Sequence, residues 1–252
     1  MSVEHSEVLE SCPTLKSIRP EGPERTVPRP RSIKLKASPN RAMPMPYYTR
    51  VLSKDAEFPP FEELADFIST SHPDYKLTVE EGTEEEWESL LLSGNDEVEV
   101  AVLERNPVSD GSIGQDEVAD FLEETQDCKP ETGVQWLHEF LDEVKTVYAF
   151  QHLQGSETVE GGNALHALRS RLWERGDAIL QADNEGFTNE EGFHVVWQFS
   201  DTVTGPWNMG ILQDGTWYHF KMDLGDPDHR EAFLNGEMPS DLSSIRQSEP
   251  QG

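Results

Sequence analysis

Six side chains in the last third of the chain have the types and spacing best suited to chemistry: His194, Gln198, Asn208, Trp217, His219 and Lys221. Asp214-Gly215, between two strand-like runs, is the signature of a type I′ hairpin, and a two-residue loop fixes the register. That register sets Leu212 against Trp217, Ile211 against Tyr218, Gly210 against His219, Met209 against Phe220 and Asn208 against Lys221. One face then carries Trp207, Met209, Ile211, Tyr218, Phe220 and Met222, a core face. The other carries Asn208, Gly210, Leu212, Trp217, His219, Lys221 and Asp223. A preceding strand over Phe193–Phe199, burying its odd-numbered aromatics, adds His194, Val196 and Gln198 to that second face. Imidazoles, amides and an ammonium on one surface suit proton transfer or the binding of a polar small molecule. The plainer reading is a solvated sheet face, which antiparallel sheets often have.

A second grouping is acidic. Asp116, Asp120, Glu123 and Asp127 recur at i, i+4, i+7 and i+11, one stripe of a helix with carboxylates roughly 5–6 Å apart. Like charges at that spacing cost a helix a few tenths of a kcal/mol each, so the stripe does not serve helix stability. It suits a basic partner protein, and its spacing also resembles the phosphate repeat of a nucleic-acid strand, which makes mimicry a lesser alternative. A further run, Glu80, Glu81, Glu84, Glu85, Glu86 and Glu88, adds to the charge, with simple solvation as the bland account of both.

Other motifs have structural readings that explain more of their residues. His138-Glu139-x-x-Asp142 lies opposite the Trp136/Phe140/Val144 stripe, in solvent, and has no third metal ligand. Asp223-x-x-Asp226-x-Asp228-His229 lacks the spacing of a Ca²⁺ loop and reads as a helix cap followed by Pro227 at the first helical position. Ser112-Ile113-Gly114-Gln115 lacks the glycine spacing and lysine of a phosphate loop and reads as a capping box. Cys12 and Cys128 are far apart, with no Cys/His grouping, which excludes a disulfide scaffold and a standard zinc site. No cofactor and no metal are expected.

The elements that must position these residues sort into four stretches. Residues 1–46 hold eight Lys/Arg against five Glu and are dense in proline, a composition that cannot bury enough surface to fold. They read as a disordered basic leader, and Met43 or Met45, just ahead of the first strand, reads as an alternative start. Residues 47–154 form an α/β segment: a strand at 47–53, a helix at 59–69, a strand at 75–81 and a helix at 83–92 opened by Thr83-x-x-Glu86. A strand at 97–105 follows, with Val98, Val100 and Val102 inward, then helices at 113–127 and 131–153. After a glycine-rich break at 154–162, residues 163–235 give a helix to 175, strands at 177–182, 193–199, 207–213 and 216–224, and a closing helix capped by Asp226. Residues 236–252 read as a disordered tail.

The fold class is therefore α+β, with an N-terminal strand–helix–strand segment, a helical middle, and a C-terminal four-stranded antiparallel meander closed by a short helix. The net charge of −29 rises to −32 once the basic leader is set aside. Such a surface repels nucleic-acid phosphates and anionic membranes, so direct binding to either is not expected. No apolar run approaches the ~18 residues of a membrane helix, and the first thirty residues lack the apolar core of a signal peptide. The composite expectation is an acidic, cytoplasmic, non-catalytic accessory protein that binds a basic partner. Its alternative is an enzyme or small-molecule binder using His194, His219 and Lys221.

Overall fold

Val51 and Leu52, adjacent in sequence and both wholly buried, point to opposite faces of the strand on which the fold is assembled. The computed structural model describes residues 47–200 and 202–250, and the expectations for the leader at 1–46 lie outside them. Strand β1 (Tyr48–Ser53) pairs antiparallel with β5 (Thr146–His152) on one side and β6 (Ala178–Ala182) on the other. Beyond β5 the sheet continues through β4 (Glu99–Pro107), β3 (Trp87–Gly94) and β2 (Tyr75–Gly82), and beyond β6 it ends at β7 (Gly186–Thr188). The order of this seven-stranded antiparallel sheet is β2-β3-β4-β5-β1-β6-β7.

Helices α1 (Phe61–Ser71) and α4 (Val159–Trp173) bury Leu64, Ile68, Leu168 and Leu172 against one face, where Val51, Trp87, Leu90, Leu103 and Phe150 form the main core. Helices α2 (Ile113–Thr125) and α3 (Glu131–Leu141) lie on the other face, as the Phe121–Phe187 ring contact and the Lys54 ammonium over Phe140 record. Ser112 caps α2 by accepting from the Gln115 N–H, and Gln115 reaches back to the Gly111 N–H, close to the capping box expected there. A smaller sheet, ordered β10-β9-β8, is built from β8 (Pro206–Gln213), β9 (Thr216–Asp223) and β10 (Arg246–Ser248). Helix α5 (Pro227–Leu234), capped by Asp226, closes it with Phe233 in the second core.

One residue joins the two sheets. His194 bridges Thr188 of β7 and Met209 of β8, and its N–H and C=O bond the Asn208 carbonyl and the Gly210 N–H. The hairpin register is as the Asp214-Gly215 turn dictates, with both turn residues at positive φ.

Several expectations are overturned by tertiary context. The segment 83–92 is mostly strand β3, because Thr83 closes a hairpin turn: its hydroxyl accepts from the Glu86 N–H and its own N–H bonds the Glu86 carbonyl. The same Thr-x-x-Glu chemistry serves a turn as well as a helix start. The helix expected over 131–153 stops at Leu141, and Val147 and Tyr148 belong to the central strand β5. A continuous apolar run suits a strand buried on both faces as well as it suits a helix. In β4 a register shift turns Ala101 and Leu103 into the core in place of Val102, and leaves Val98 43% exposed. The middle of the chain is therefore helical in part, with β5 set between α3 and α4. Strand β6 joins the large sheet rather than a C-terminal meander, and 193–199 contributes bridges but no full strand. The third strand of the small sheet, β10, comes from the tail expected to be loose. The break at 154–162 becomes a 3-10 turn, Gln154–Glu157, and the first turn of α4, capped by Thr158.

Candidate functional site: an acidic sheet face

Strand pairing lines up one residue from each of the seven strands in a single transverse row: Glu81, Ser89, Glu104, Ala149, Arg50, Gln181 and Phe187. The row lies on the α2 side of the sheet. At its centre Arg50 pairs with Ala149, and its guanidinium packs over the rings of Tyr48 and Phe121. Arg50 donates from Nε to Glu117 of α2 at 2.8 Å, and from Nη1 to Asp183 at 2.8 Å and to Gln181 at 2.7 Å. Burial works against its charge, and the bonds to Glu117 and Asp183 more than offset that.

The other half of the row has no such cation. Glu104 is half-buried two strands from Arg50, and Glu81 stands two strands further out across Ser89. Neither carboxylate is ion-paired among the described residues. Burial, then Glu117 and Glu81, hold the Glu104 carboxyl above its ordinary range, with Arg50 alone opposing them. Glu124 on α2 is likewise pushed up by burial and by Asp120, Asp183 and Glu123, again against Arg50. A neighbouring row, Thr78, Leu91, Val102, Gln151 and Tyr48, is exposed or half-buried and gives this face an apolar floor.

The expected stripe lies beside this face. Asp116, Asp120 and Glu123 are exposed on α2, and Asp127 is exposed just beyond its end. None of the four is ion-paired among the described residues. Glu81, Glu104 and the α2 carboxylates thus share this side of the sheet, with the Arg50 guanidinium committed to Glu117 and Asp183.

Sequence reasoning found the stripe and missed Arg50, Glu104, Glu117 and Asp183. One signal was present: an arginine in the otherwise uncharged run Tyr48–Ser53 of a buried strand demands a carboxylate facing it.

The structure divides the other grouping. Asn208, Trp217, His219 and Lys221 share a face of the hairpin as the register requires, with Asn208 and Lys221 exposed. Trp217 and His219 are buried rather than wetted, under Trp136 and Phe193. His194 is on the opposite face, its ring against Phe199 and Trp207, and Gln198 packs beside Gly186. The two imidazoles therefore do not meet.

The protonation of His219 follows from Asn189. Oδ1 of Asn189 accepts the N–H groups of Glu191 and Phe193, so its Nδ2 must donate to His219 Nε2 at 2.9 Å. The ring proton then sits on Nδ1, 3.4 Å from Glu191 Oε2, which also meets Arg246 Nε at 3.0 Å. Burial holds the imidazole neutral, with Glu191 opposing and Arg246 adding to the effect. Both ring nitrogens are thus directed at protein groups, and the arrangement ties β10 and the 189–193 turn to β9 more readily than it offers an open acid–base.

Of the remaining motifs, His138 is half-buried rather than in solvent, bonded to the Thr125 hydroxyl at 2.9 Å. Among the described residues no three His, Cys, Asp or Glu side chains are arranged to hold a metal ion, and no helix is long and apolar enough to cross a membrane. Comparison of the chain with protein-family models, with curated proteins and with solved structures gives no significant match.

Proposed function

We propose that the protein is a non-catalytic accessory protein of the cytoplasm whose acidic sheet face and α2 stripe bind a basic protein partner. The observation that carries this reading is the unbalanced row. Arg50 shows how one guanidinium satisfies the field at Glu117 and Asp183, and the Glu81–Glu104 half has no counterpart. A lysine or arginine side chain from a partner, laid over Ser89, takes the equivalent position. The apolar floor of Leu91, Val102 and Tyr48 supplies contact area beneath the partner's aliphatic stems. The α2 carboxylates steer such a partner from a distance and make its association rate salt-dependent.

The test is titration calorimetry with lysine/arginine-rich peptides at low and physiological salt, on the native protein and on Asp116→Asn/Asp120→Asn/Glu123→Gln/Asp127→Asn. Binding that weakens at least about tenfold in the quadruple variant, with a shallower salt dependence, supports the reading. Equal binding by both proteins, or none by the native protein at low salt, overturns it.

A further inference from the structure

Strand β2 is the outer edge of the large sheet, eight residues long and paired only with β3 among the described residues. The opposite edge is closed, since His194 bridges β7 to β8. The register of β2 places its free backbone groups. The Asn95 N–H bonds the Asp74 carbonyl at 2.8 Å, one step before the Tyr75–Gly94 pair. Antiparallel pairs alternate between bonded and unbonded, so Lys76 and Thr78 bond β3, and Leu77 and Val79 turn their N–H and C=O groups outward. Those outward groups meet no hydrogen-bond partner among the described residues.

The two sides of this edge differ in chemistry. Tyr75, Leu77 and Val79 face the main core beneath α1, and Tyr75 and Val79 are only half-buried. Lys76, Thr78 and Glu81 face the acidic side, the register shift at Glu80 keeping Glu81 in step with Thr78. Beyond them the hairpin carries Glu84, Glu85, Glu86 and Glu88, exposed like Glu80 and Glu81, and none is ion-paired among the described residues. Lys76, the cation of this strand, is held by Glu97 at 2.7 Å. Charges on an edge strand ordinarily discourage pairing with another sheet. Here they have one sign, which disfavours a second copy of a chain of net charge −29 and favours a basic strand.

We infer that β2 takes up a basic segment of a partner protein as an added strand, in which apolar residues alternate with lysine or arginine. Residues opposite Leu77 and Val79 extend the margin of the core, and residues opposite Thr78 and Glu81 bring their cations to the acidic side. Main-chain bonds to Leu77 and Val79 supply affinity, and the alternation supplies specificity. The inference rests on the basic partner proposed above and gives its docking segment a conformation and a pattern.

The experiment combines calorimetry and amide exchange on the full chain with two hexapeptides of one composition. One alternates lysine with valine, and the other holds the same residues in separate blocks. The alternating peptide is expected to bind at least about tenfold more tightly, and at saturation to slow exchange at the Leu77 and Val79 amides at least about tenfold. Val79→Pro removes an outward N–H without breaking a bond to β3, and abolishes the preference. N-methylation of the alternating peptide does the same from the partner's side, so a variant that fails to fold does not shield the inference. Equal affinities for the two peptides, or binding that leaves both amides unprotected, overturn the inference and leave the basic partner standing. No binding of either peptide at low salt overturns both. Protection of these amides that grows with protein concentration in the free chain assigns the edge to a second copy and overturns the inference as well.

Discussion

Glu104 and Arg50 occupy the same transverse row of the large sheet, one strand either side of Ala149. Arg50 turns away from Glu104, toward Glu117 and Asp183, so the two opposite charges share a row without forming a contact. That arrangement decides how each responds to substitution.

Arg50→Gln removes the cation between two carboxylates while its side chain is only 14% exposed. We expect a loss of about 3–5 kcal/mol at pH 7, the usual range for breaking a buried pair from one side. The loss shrinks near pH 4, where carboxylates begin to protonate. Urea unfolding at the two pH values measures it. Equal losses at both would show that the guanidinium acts by packing on Tyr48 and Phe121 instead.

Glu104→Gln moves stability and binding in opposite directions. A carboxyl whose pKa is higher in the folded state opposes folding once ionised: the cost is absent well below pH 4 and complete above the folded pKa. Removing the charge therefore stabilises the protein at pH 7, modestly because solvent screens this half-buried group, and does nothing at pH 3. Affinity for a basic peptide falls several-fold in the same variant. A destabilised variant with unchanged affinity would exclude Glu104 from the docking face.

Local chemistry made much of the small sheet legible and little of the large one. Asp214-Gly215 fixes a register by itself, and Asp226-Pro227 fixes a helix start, so both were read from a few consecutive residues. The large sheet pairs β1 with strands that arrive about a hundred residues later, and nothing local in Thr146–His152 distinguishes a strand buried on both faces from the end of a helix. The candidate site shares this divide. The α2 stripe is a periodicity within one element, whereas the row through Glu81, Glu104 and Arg50 exists only once the strand order and the bulges are known.

Acid sensitivity should come from buried imidazoles as well as from carboxylates. Burial holds His194 down at about 4, with only a backbone contact to Glu185 opposing, and lowers His219 as well. A histidine whose folded pKa is depressed contributes stability above its unfolded pKa near 6.5, and that stability is lost as pH falls toward the folded value. For His194, 8% exposed, the loss reaches about 3 kcal/mol by pH 4. His194→Phe, which keeps the ring contacts to Phe199 and Trp207, should flatten the stability profile between pH 6.5 and 4. Thermal unfolding across that window is the measurement, and an unchanged slope would place the acid sensitivity elsewhere.

Gly133→Ala tests how the two sheets are held together. A Cβ at this position, in the first turn of α3, would stand 2.2 Å from the Val195 carbonyl oxygen. That oxygen cannot yield easily, because the Val195 N–H bonds the Phe187 carbonyl and the Trp197 N–H bonds the Lys129 carbonyl, pinning the segment from both sides. Overpacking against fixed backbone should cost at least about 2 kcal/mol. Gly176→Ala, whose Cβ would come only within 3.7 Å of Asp55, should be near neutral. Because His194, next to Val195, carries the bridges between the sheets, the damage should be uneven. Amide exchange should rise first in β8 and β9 while β1 and β5 stay protected. Equal loss of protection in both sheets would mean that they open as one cooperative unit, with the His194 bridge no weaker than the strands it joins.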